Sequence, residues 1–340
     1  MSLTSIPPLP ARNRRSLRSG RRPRARGRAA LAGLVAGALV ALVPAAPALA
    51  DDRHSFDLGA ISNPDWMAEI SDGTSLAALS IPGTHDTMAR DVTALAETQE
   101  SPLPEQLDAG VRALDIRTRH FQDRFTIHHG RVYLHANFTD VLRQTTDFLR
   151  EHPTETVLMR VKPEHTAEQN TRTYEETLDW YLTENPDTAG LAHDYVWTPP
   201  GGEYATRIPD LGQVRGRIVI LQDFDGAGTV YGPRWAGAGM SIQDDYEVPT
   251  LFDIARKWEK ARTHFETTRT GPADRLHINF LSGASLGALP IHVASGGLGF
   301  RGVNDYALSH LRATDLPRTG VVMADYPGPG LVEEILAENP

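Results

Sequence analysis

The 340-residue chain contains no cysteine, which excludes disulfides and thiolate metal sites. Its N-terminal apolar run, at residues 29–43, is shorter than the roughly 20 apolar residues that span a bilayer. The chain also lacks the His-x₃-His and His-Glu-x₂-His patterns with which helices bind zinc. A chain of this size without cross-links must be stabilised by one large apolar core.

Basic residues are scarce after the first fifty positions. Nine of the 34 Lys and Arg residues are arginines in residues 1–50, which contain no acidic residue. The other positions carry about 25 basic residues against 43 acidic ones, a net charge near −18. This charge disfavours binding to nucleic acid through a basic face and electrostatic attraction to anionic lipid. Any membrane contact must therefore be local and apolar.

The first fifty residues have the pattern of a secretory signal peptide. An arginine-rich start precedes the apolar run, and Ala48-Leu49-Ala50 resembles a cleavage site. We therefore predict a signal peptide over residues 1–50, cleavage near Ala50, and a single exported domain over residues 51–340. Arg14-Arg15 fits both general secretion and twin-arginine export.

Short β-rich runs alternate with amphipathic helical patterns after residue 51, as is typical of parallel βα units. The predicted strands are residues 76–81, 113–117, 125–129, 156–161, 217–221, 240–244, 276–280 and 321–325. The predicted helices are residues 138–150, 173–182, 251–268 and 331–338. Eight strands favour an α/β fold with a single (β/α)₈ TIM barrel, distorted by residues 132–135 and by glycine-rich loops at 226–239 and 283–299. Pro82 and Gly83 are expected to end the first strand.

In such a barrel the chemistry gathers where the strands end. Polar side chains follow every predicted strand: His85 and Asp86, Asp115 and Arg117, His128 and His129, Lys162 and Glu164, Asp223, Asn279, Asp244 and Tyr246, and Asp325. Since strand side chains alternate, Asp115 and Arg117 share a face, whereas only one of His128 and His129 can face the site. We assign His128 to packing or to a backbone hydrogen bond.

Two histidines and an arginine around one cavity suit metal-free phosphoryl transfer. One imidazole removes a proton, the other donates one to the leaving oxygen, and arginine stabilises the phosphate charge. Calcium held by Asp86, Asp115 and Glu164 is the alternative, but Arg117 already supplies positive charge there. We therefore expect no cofactor, and acid/base cleavage of a phosphodiester is the leading class.

Eight segments together carry a resemblance to a known family. They are LSIPGTHDTMAR, GVRALDIRTR, FTIHHGRVYLHANFTDVL, HPTETVLMRVKPE, RGRIVILQDFDG, SIQDDYEV, HINFLSGAS and GVVMADYPGPGLVEEIL. In this order they resemble bacterial phosphatidylinositol-specific phospholipase C, over residues 56–339. The resemblance implies a distorted TIM barrel that cleaves phosphatidylinositol to diacylglycerol and inositol 1,2-cyclic phosphate by attack of the inositol 2-hydroxyl.

The resemblance also implies roles for the catalytic residues. His85 would be the general base, with Asp325 holding its ring in the productive tautomer. His129 would be the general acid, assisted by Asp86 and oriented by Asp115.

Further roles follow from the same resemblance. Arg117 would bind the phosphate, and its presence implies a metal-independent member of the family. Lys162, Asp244 and Tyr246 match residues that hold the inositol ring.

Two departures from the family bear on the substrate. Asp223 stands where secreted relatives have an arginine that contacts inositol hydroxyls, so we expect different headgroup contacts. Residues 91–99 and 282–295 contain no tryptophan of the kind that relatives insert into lipid. The apolar residues that could substitute weakly are Leu95, Leu286, Leu289 and Ile291.

The expected substrate is phosphatidylinositol or a glycosyl-inositol anchor, reached through weak and transient membrane contact by a secreted monomer. One alternative is an enzyme like glycerophosphodiester phosphodiesterase, acting on a soluble phosphodiester; that family opens with His-Arg, whereas this chain has His85-Asp86. A non-catalytic inositide-binding barrel is the other alternative, suggested by Asp223 and the missing aromatic rim.

Overall fold

A sheet of parallel strands forms the centre of the computed structural model, which describes residues 56–340. The strands are β1 (Ser80–Thr84), β2 (Ala113–Phe121), β3 (Arg124–His129), β4 (Val132–Asn137), β5 (Thr156–Pro163), β6 (Arg217–Gln222), β7 (Met240–Gln243), β8 (Leu276–Phe280), β9 (Gly296–Gly297), β10 (Phe300–Arg301) and β11 (Gly320–Ala324). The helices are α1 (Leu103–Ala109), α2 (Phe138–Glu151), α3 (Tyr174–Thr183), α4 (Ala189–Tyr195), α5 (Leu211–Val214), α6 (Ile254–Thr270), α7 (Pro290–Ser295), α8 (Val303–Ala313) and α9 (Pro329–Ala337).

Seven of the strands in residues 56–340 are parallel neighbours, in the order β6, β5, β2, β1, β11, β8 and β7. The seam of the barrel lies between β6 and β7. There the loop after β6 folds back on its own strand, and the Trp235 backbone N–H donates to the Gln222 carbonyl at 2.9 Å. The predicted α/β class and distorted TIM barrel are confirmed.

The third predicted strand, residues 125–129, is not part of the parallel barrel. β3 pairs antiparallel with β2 and with β4, so this part of the prediction is wrong. The two-residue turn at Gln122 and Asp123, both with positive φ, joins β2 directly to β3 in a hairpin. The hairpin extends β2 beyond the barrel and returns, pairing Ile127 with Thr118, so that His129 comes back to the rim.

The first strand lies further along the chain than predicted. Leu76–Ala78 forms a 3₁₀ turn, and β1 includes Pro82 and Gly83, which therefore do not end it. A Cβ on Gly83 would lie 2.5 Å from Met323 Sδ, so glycine allows β1 to pack closely between its neighbours. The chain turns instead at Asp86, whose φ is +44°.

The predicted helices are present as α2, α3, α6 and α9. In α2, the Asn137 side chain accepts from the Thr139 backbone N–H at 2.8 Å and Asp140 accepts from the Asn137 backbone N–H at 2.9 Å, which caps the N-terminus. The predicted apolar stripe of α2 is buried. The helices α1, α4, α5, α7 and α8 were not predicted, and all of them except α8 are at most seven residues long.

Alternate residues of each parallel strand separate two apolar layers. Ala113 and Met323 belong to the cluster inside the barrel, whereas Leu114 and Val322 pack outward against helices. Within residues 56–340, which all fall in one compact unit, no helix is both long and apolar enough to cross a bilayer. The predicted signal peptide lies outside the described residues, so that boundary stays a prediction.

Candidate active site

The inward-facing positions of the barrel change from apolar to polar toward the carboxyl end of each strand. On β2, Ala113 belongs to the core, and Asp115 and Arg117 follow on the same face. The same alternation leads from Leu158 to Arg160 and Lys162, from Leu221 to Asp223, from Ile242 to Asp244 and from Met323 to Asp325. The polar ends surround a cavity of about 400 Å³ that His85, Arg117, His129, Lys162 and Asp325 line.

His85 lies between a carboxylate and a guanidinium. Its Nδ1 is 2.7 Å from Asp325 Oδ1, and its Nε2 is 2.6 Å from Arg117 Nη2. Because a guanidinium only donates, Nε2 must accept and the ring proton must be on Nδ1, which donates to Asp325. This tautomer leaves the Nε2 lone pair facing the cavity, as a general base requires.

The environment of His85 raises its pKa above the ordinary value of 6.5. Burial lowers the pKa, and so does the nearby Arg117 charge, but the Coulomb attraction and hydrogen bond of Asp325 outweigh both. Asp325 therefore orients the ring and also increases its basicity.

Arg117 is held by two buried carboxylates. Its Nη1 is 3.1 Å from Asp86 Oδ2, and Asp115 Oδ2 accepts from its Nε at 3.1 Å and its Nη2 at 2.9 Å. Burial lowers the pKa of Arg117, but the two carboxylates reverse this and raise it. The pKa of Asp115 is well below its usual range because Arg117 and Arg160 outweigh the effect of burial.

His129 faces His85 across the cavity, with ring centroids 6.2 Å apart and planes at 87°. Its Nδ1 donates to the Ala96 carbonyl at 2.8 Å, which leaves Nε2 toward the cavity. Asp86 Oδ2 lies 3.3 Å from the same Nδ1, without hydrogen-bond geometry, where it would compensate the charge of an imidazolium.

The expectation that Asp115 orients His129 is not what the structure shows. Among the described residues, the carboxylate of Asp115 hydrogen-bonds to Arg117, Arg160 and the Asp86 backbone N–H, while the partner of the His129 ring is a backbone carbonyl. Asp115 lies too deep on β2 to reach a ring that arrives on the β3 hairpin. His128 is buried against Tyr133, outside the cavity wall.

The other side of the cavity is more open. Lys162 Nζ donates to Glu164 Oε2 at 2.9 Å, and Glu164 Oε1 accepts from the Gly130 backbone N–H at 3.1 Å. Asp244 and Tyr246 line the cavity and are exposed, the latter by 60%. The structure thus brings Lys162, Asp244 and Tyr246 to the cavity that holds both histidines.

Asp223 does not line this cavity, contrary to the expectation that it contacts the headgroup directly. Its Oδ2 accepts from Arg160 Nε at 2.9 Å and Arg160 Nη2 at 2.6 Å, and Arg160 is the residue in the cavity wall. Our sequence reasoning missed Arg160. The signal was available, because Arg160 precedes Lys162 by two positions and must share its face.

A buried lysine lies behind the cavity and was also missed. Lys257, on α6, is 1% exposed and donates to the Asp245 carbonyl at 2.7 Å. Burial lowers its pKa to about 8, against the attraction of Asp244 and other acidic groups. The contact fixes the backbone between Asp244 and Tyr246.

The carboxylates suggested for calcium have other partners. Asp86 and Asp115 are paired with Arg117, and Glu164 is paired with Lys162. Over residues 56–340, no group of three or more His, Asp and Glu side chains is arranged to hold a metal ion. A second cavity, of about 520 Å³, lies beside Glu164 but is not lined by either cavity histidine.

Known proteins resemble the chain in sequence. A family model for the X domain of phosphatidylinositol-specific phospholipase C matches residues 75–223. The chain is 30% identical over 292 residues to 1-phosphatidylinositol phosphodiesterase from Listeria monocytogenes, covering 82% of this chain and 86% of that protein. The protein of the same name from Staphylococcus aureus is 29% identical over 327 residues, covering 84% of this chain and 97% of the relative.

Solved structures extend the similarity to the fold. Phosphatidylinositol-specific phospholipase C from L. monocytogenes matches with a TM-score of 0.70 at 28% identity, covering 82% of this chain and 100% of that chain. The F249X mutant of the S. aureus enzyme matches with a TM-score of 0.69 at 26% identity, covering 84% and 100%.

Proposed function

The chain belongs to the phosphatidylinositol-specific phospholipase C family, and we propose that it cleaves phosphatidylinositol in the cavity between His85 and His129. The products are diacylglycerol and inositol 1,2-cyclic phosphate. The observation that carries this proposal is the position of Arg117. Its guanidinium contacts His85 Nε2 and is paired with Asp86, whose carboxylate lies next to His129.

His85 is the general base. Nε2 accepts the proton of the inositol 2-hydroxyl, which replaces Arg117 Nη2 as its hydrogen-bond donor while the guanidinium keeps its contacts with Asp86 and Asp115. The resulting imidazolium is stabilised by Asp325, which is already hydrogen-bonded to Nδ1. The freed oxygen then forms a bond to phosphorus and closes the cyclic phosphate.

His129 is the general acid on the opposite side of the phosphorus. As the bond from phosphorus to the glycerol oxygen breaks, His129 Nε2 donates its proton to that oxygen, and diacylglycerol leaves neutral. The hydrogen bond from Nδ1 to the Ala96 carbonyl fixes the ring in this orientation. Proton exchange with water then restores both histidines.

Arg117 binds the phosphate oxygens that lie between the two histidines. Its paired N–H groups match two oxygens of a phosphate, and donors placed before reaction stabilise charge that develops in the transition state. Asp86 and Asp115 hold the guanidinium in this position.

The reaction needs no metal ion in this proposal. Arg117 supplies a positive charge where calcium would act, and the candidate calcium ligands Asp86 and Asp115 are its partners. The metal-free reaction is therefore supported by the ion pairs that Asp86 and Asp115 form with Arg117.

The protein acts outside the cell, on lipid, in this proposal. The supporting features are the signal-peptide pattern before Ala50 and an apolar rim defined by Phe252, Leu286 and Leu298, which are 82%, 88% and 87% exposed. The loop that carries Leu286 also lines the cavity through Gly283.

Contacts join the parts of this apolar rim. The Phe252 ring lies 4.9 Å from that of Phe300 in the hairpin that carries Leu298, and Ser285 Oγ donates to the Pro249 carbonyl at 3.0 Å. Leu95 is 50% exposed, whereas Leu289 and Ile291 are half-buried and contribute less than the sequence suggested.

The apolar rim predicts how the protein binds vesicles. Replacing Phe252, Leu286 and Leu298 together by serine should weaken co-sedimentation with phosphatidylinositol vesicles at least about tenfold, since each loses apolar area that would be buried in lipid. The matched control is Tyr133→Ser, an exposed apolar residue on β4. Equal binding of both variants would contradict the role of the rim.

The proposed reaction is tested by ³¹P NMR. The mature protein is incubated with phosphatidylinositol and EDTA, and we expect the resonance of the cyclic phosphate. Loss of product on chelation would overturn the metal-free reaction. Faster hydrolysis of glycerophosphoinositol would favour a soluble substrate, and binding without turnover would favour a non-catalytic barrel. A glycosyl-inositol anchor serves as a parallel substrate.

A further inference from the structure

Arg160 is a cavity residue for which the reaction above has no task. It faces inward on β5, one layer below Lys162, and lies in register with Asp115 of β2. Its side chain is 6% exposed, and the residue is part of the cavity wall. A buried cation in the wall of a substrate cavity calls for an explanation.

The guanidinium of Arg160 is held by contacts with two carboxylates and two aromatic rings. Asp223 Oδ2 accepts from its Nε and Nη2, and Asp115 Oδ1 accepts from its Nη1 at 3.2 Å. The ring of Trp235, from the loop at the barrel seam, lies 4.0 Å from its central carbon. The Phe280 ring lies 5.7 Å away. These contacts hold one orientation, so little conformational entropy remains to be lost when a ligand binds.

Fixed as it is, the guanidinium keeps unused donors. A guanidinium has five N–H groups, and its contacts within residues 56–340 use three of them. Each terminal nitrogen therefore keeps one N–H group. Because two carboxylates already balance the charge, the free groups suit an uncharged acceptor, such as a hydroxyl, better than a second phosphate.

We propose that Arg160, held by Asp223, is a substrate-binding residue that donates these N–H groups to a ring hydroxyl of the inositol headgroup. The proposal rests on the proposed function, since it concerns the same cavity. Asp223 acts through Arg160 as a positioning residue and does not touch the substrate. The unit of two strands, β5 and β6, thereby determines which ring orientation places the 2-hydroxyl at His85.

The test combines variants with substrate analogues. We would measure kcat/KM for phosphatidylinositol and for analogues lacking the 3-, 4-, 5- or 6-hydroxyl. In the wild type, the analogue that lacks the hydroxyl bound by Arg160 should react about 10- to 100-fold more slowly than phosphatidylinositol, as expected for loss of a hydrogen bond to a charged group. Arg160→Met should lose a similar factor on phosphatidylinositol and no longer distinguish that analogue.

Further variants keep the test decisive. Arg160→Lys retains the charge and should also lose the discrimination, because lysine lacks the planar fork. Asp223→Asn retains Arg160 but weakens the contact that orients its guanidinium, so this variant should reduce the discrimination among the analogues. Thermal unfolding reports whether each variant is folded, and Arg119→Met, on β2 outside this cavity, is the matched control.

Two results would overturn the proposal. In one, no single analogue is disfavoured by the wild type. In the other, the folded Arg160 and Asp223 variants keep the wild-type ratios among the five substrates, which is the mark of a purely structural role. Failure of the proposed function looks different, since the wild type would then not turn over phosphatidylinositol at all.

Discussion

The two sides of the cavity differ in how their side chains are held. On the side formed by β1, β2 and β11, His85 is fixed by Asp325, and Arg117 is fixed by two carboxylates that are at most 1% exposed. On the opposite side, formed by the ends of β5 and β7, the Lys162 side chain is 31% exposed and Tyr246 is 60% exposed.

The difference follows from what each side does in the proposed reaction. Groups that stabilise developing charge act best when they are oriented before the reaction, since no reorganisation is then needed. Groups that bind an uncharged ring through several hydroxyls can be ordered by the substrate itself. Arg160 is the exception, because it lies on the ring-binding side but is held as firmly as Arg117.

The largest effect is expected on the firmly held side. Asp325→Asn should lower kcat/KM by about 10³-fold, because an amide no longer enforces the tautomer of His85. It should also move the acidic limb of the pH profile to lower pH. The base acts when deprotonated, so activity rises through the pKa of His85, and Asp325 is the group that raises that pKa against burial and Arg117.

This pH shift is measured by kcat/KM profiles between about pH 4 and pH 9. Asp315→Asn, an exposed aspartate in the loop that leads to β11, is the matched control. An acidic limb that stays in place or moves upward in Asp325→Asn would contradict the assignment of His85 as the base.

The second-largest effect is expected for Arg117→Lys, which should lower kcat/KM by about 10²- to 10³-fold. Lysine keeps the charge but cannot contact Asp86, Asp115 and the phosphate together in planar geometry. Arg119→Lys, two positions further along β2, should react normally. Activity of Arg117→Lys within tenfold of the wild type would show that charge alone suffices and that firm positioning is not needed.

The smallest effect should come from the open side. Asp244→Asn should raise KM by about 2- to 10-fold with kcat nearly unchanged, since one partly solvated hydrogen bond to the ring is weakened. The exposed Asp274→Asn is a suitable control. A loss in kcat as large as that of Arg117→Lys would remove the distinction between the two sides.

The sequence predicted the barrel from the alternation of strand and helix patterns, and most of the cavity from the polar residues that follow the strands and from the family resemblance. The carboxyl ends of parallel strands meet at one rim, which is enough to place Asp115, Arg117, Lys162, Asp244 and Asp325 together without any knowledge of their contacts. The hairpin of β3 was not predicted, since residues 125–129 have the same apolar pattern in an antiparallel strand as in a parallel one.

It was harder to predict which side chains pair with each other than which face of a strand each side chain occupies. Asp223 carries the right chemistry for a hydroxyl, but its carboxylate is engaged by Arg160 from the neighbouring strand, and only the register of β5 against β6 reveals this. Likewise, a backbone carbonyl at Ala96 orients His129, and backbone acceptors leave no residue-type signal.

The central claim is the division of labour between His85 as base and His129 as acid. It is tested most directly with a phosphatidylinositol analogue whose leaving oxygen is replaced by sulfur, because a thiolate leaves without protonation. We predict that His129→Ala recovers by about 100-fold or more on this analogue relative to the natural lipid, whereas His85→Ala does not. Equal defects of the two variants on both substrates would contradict the account.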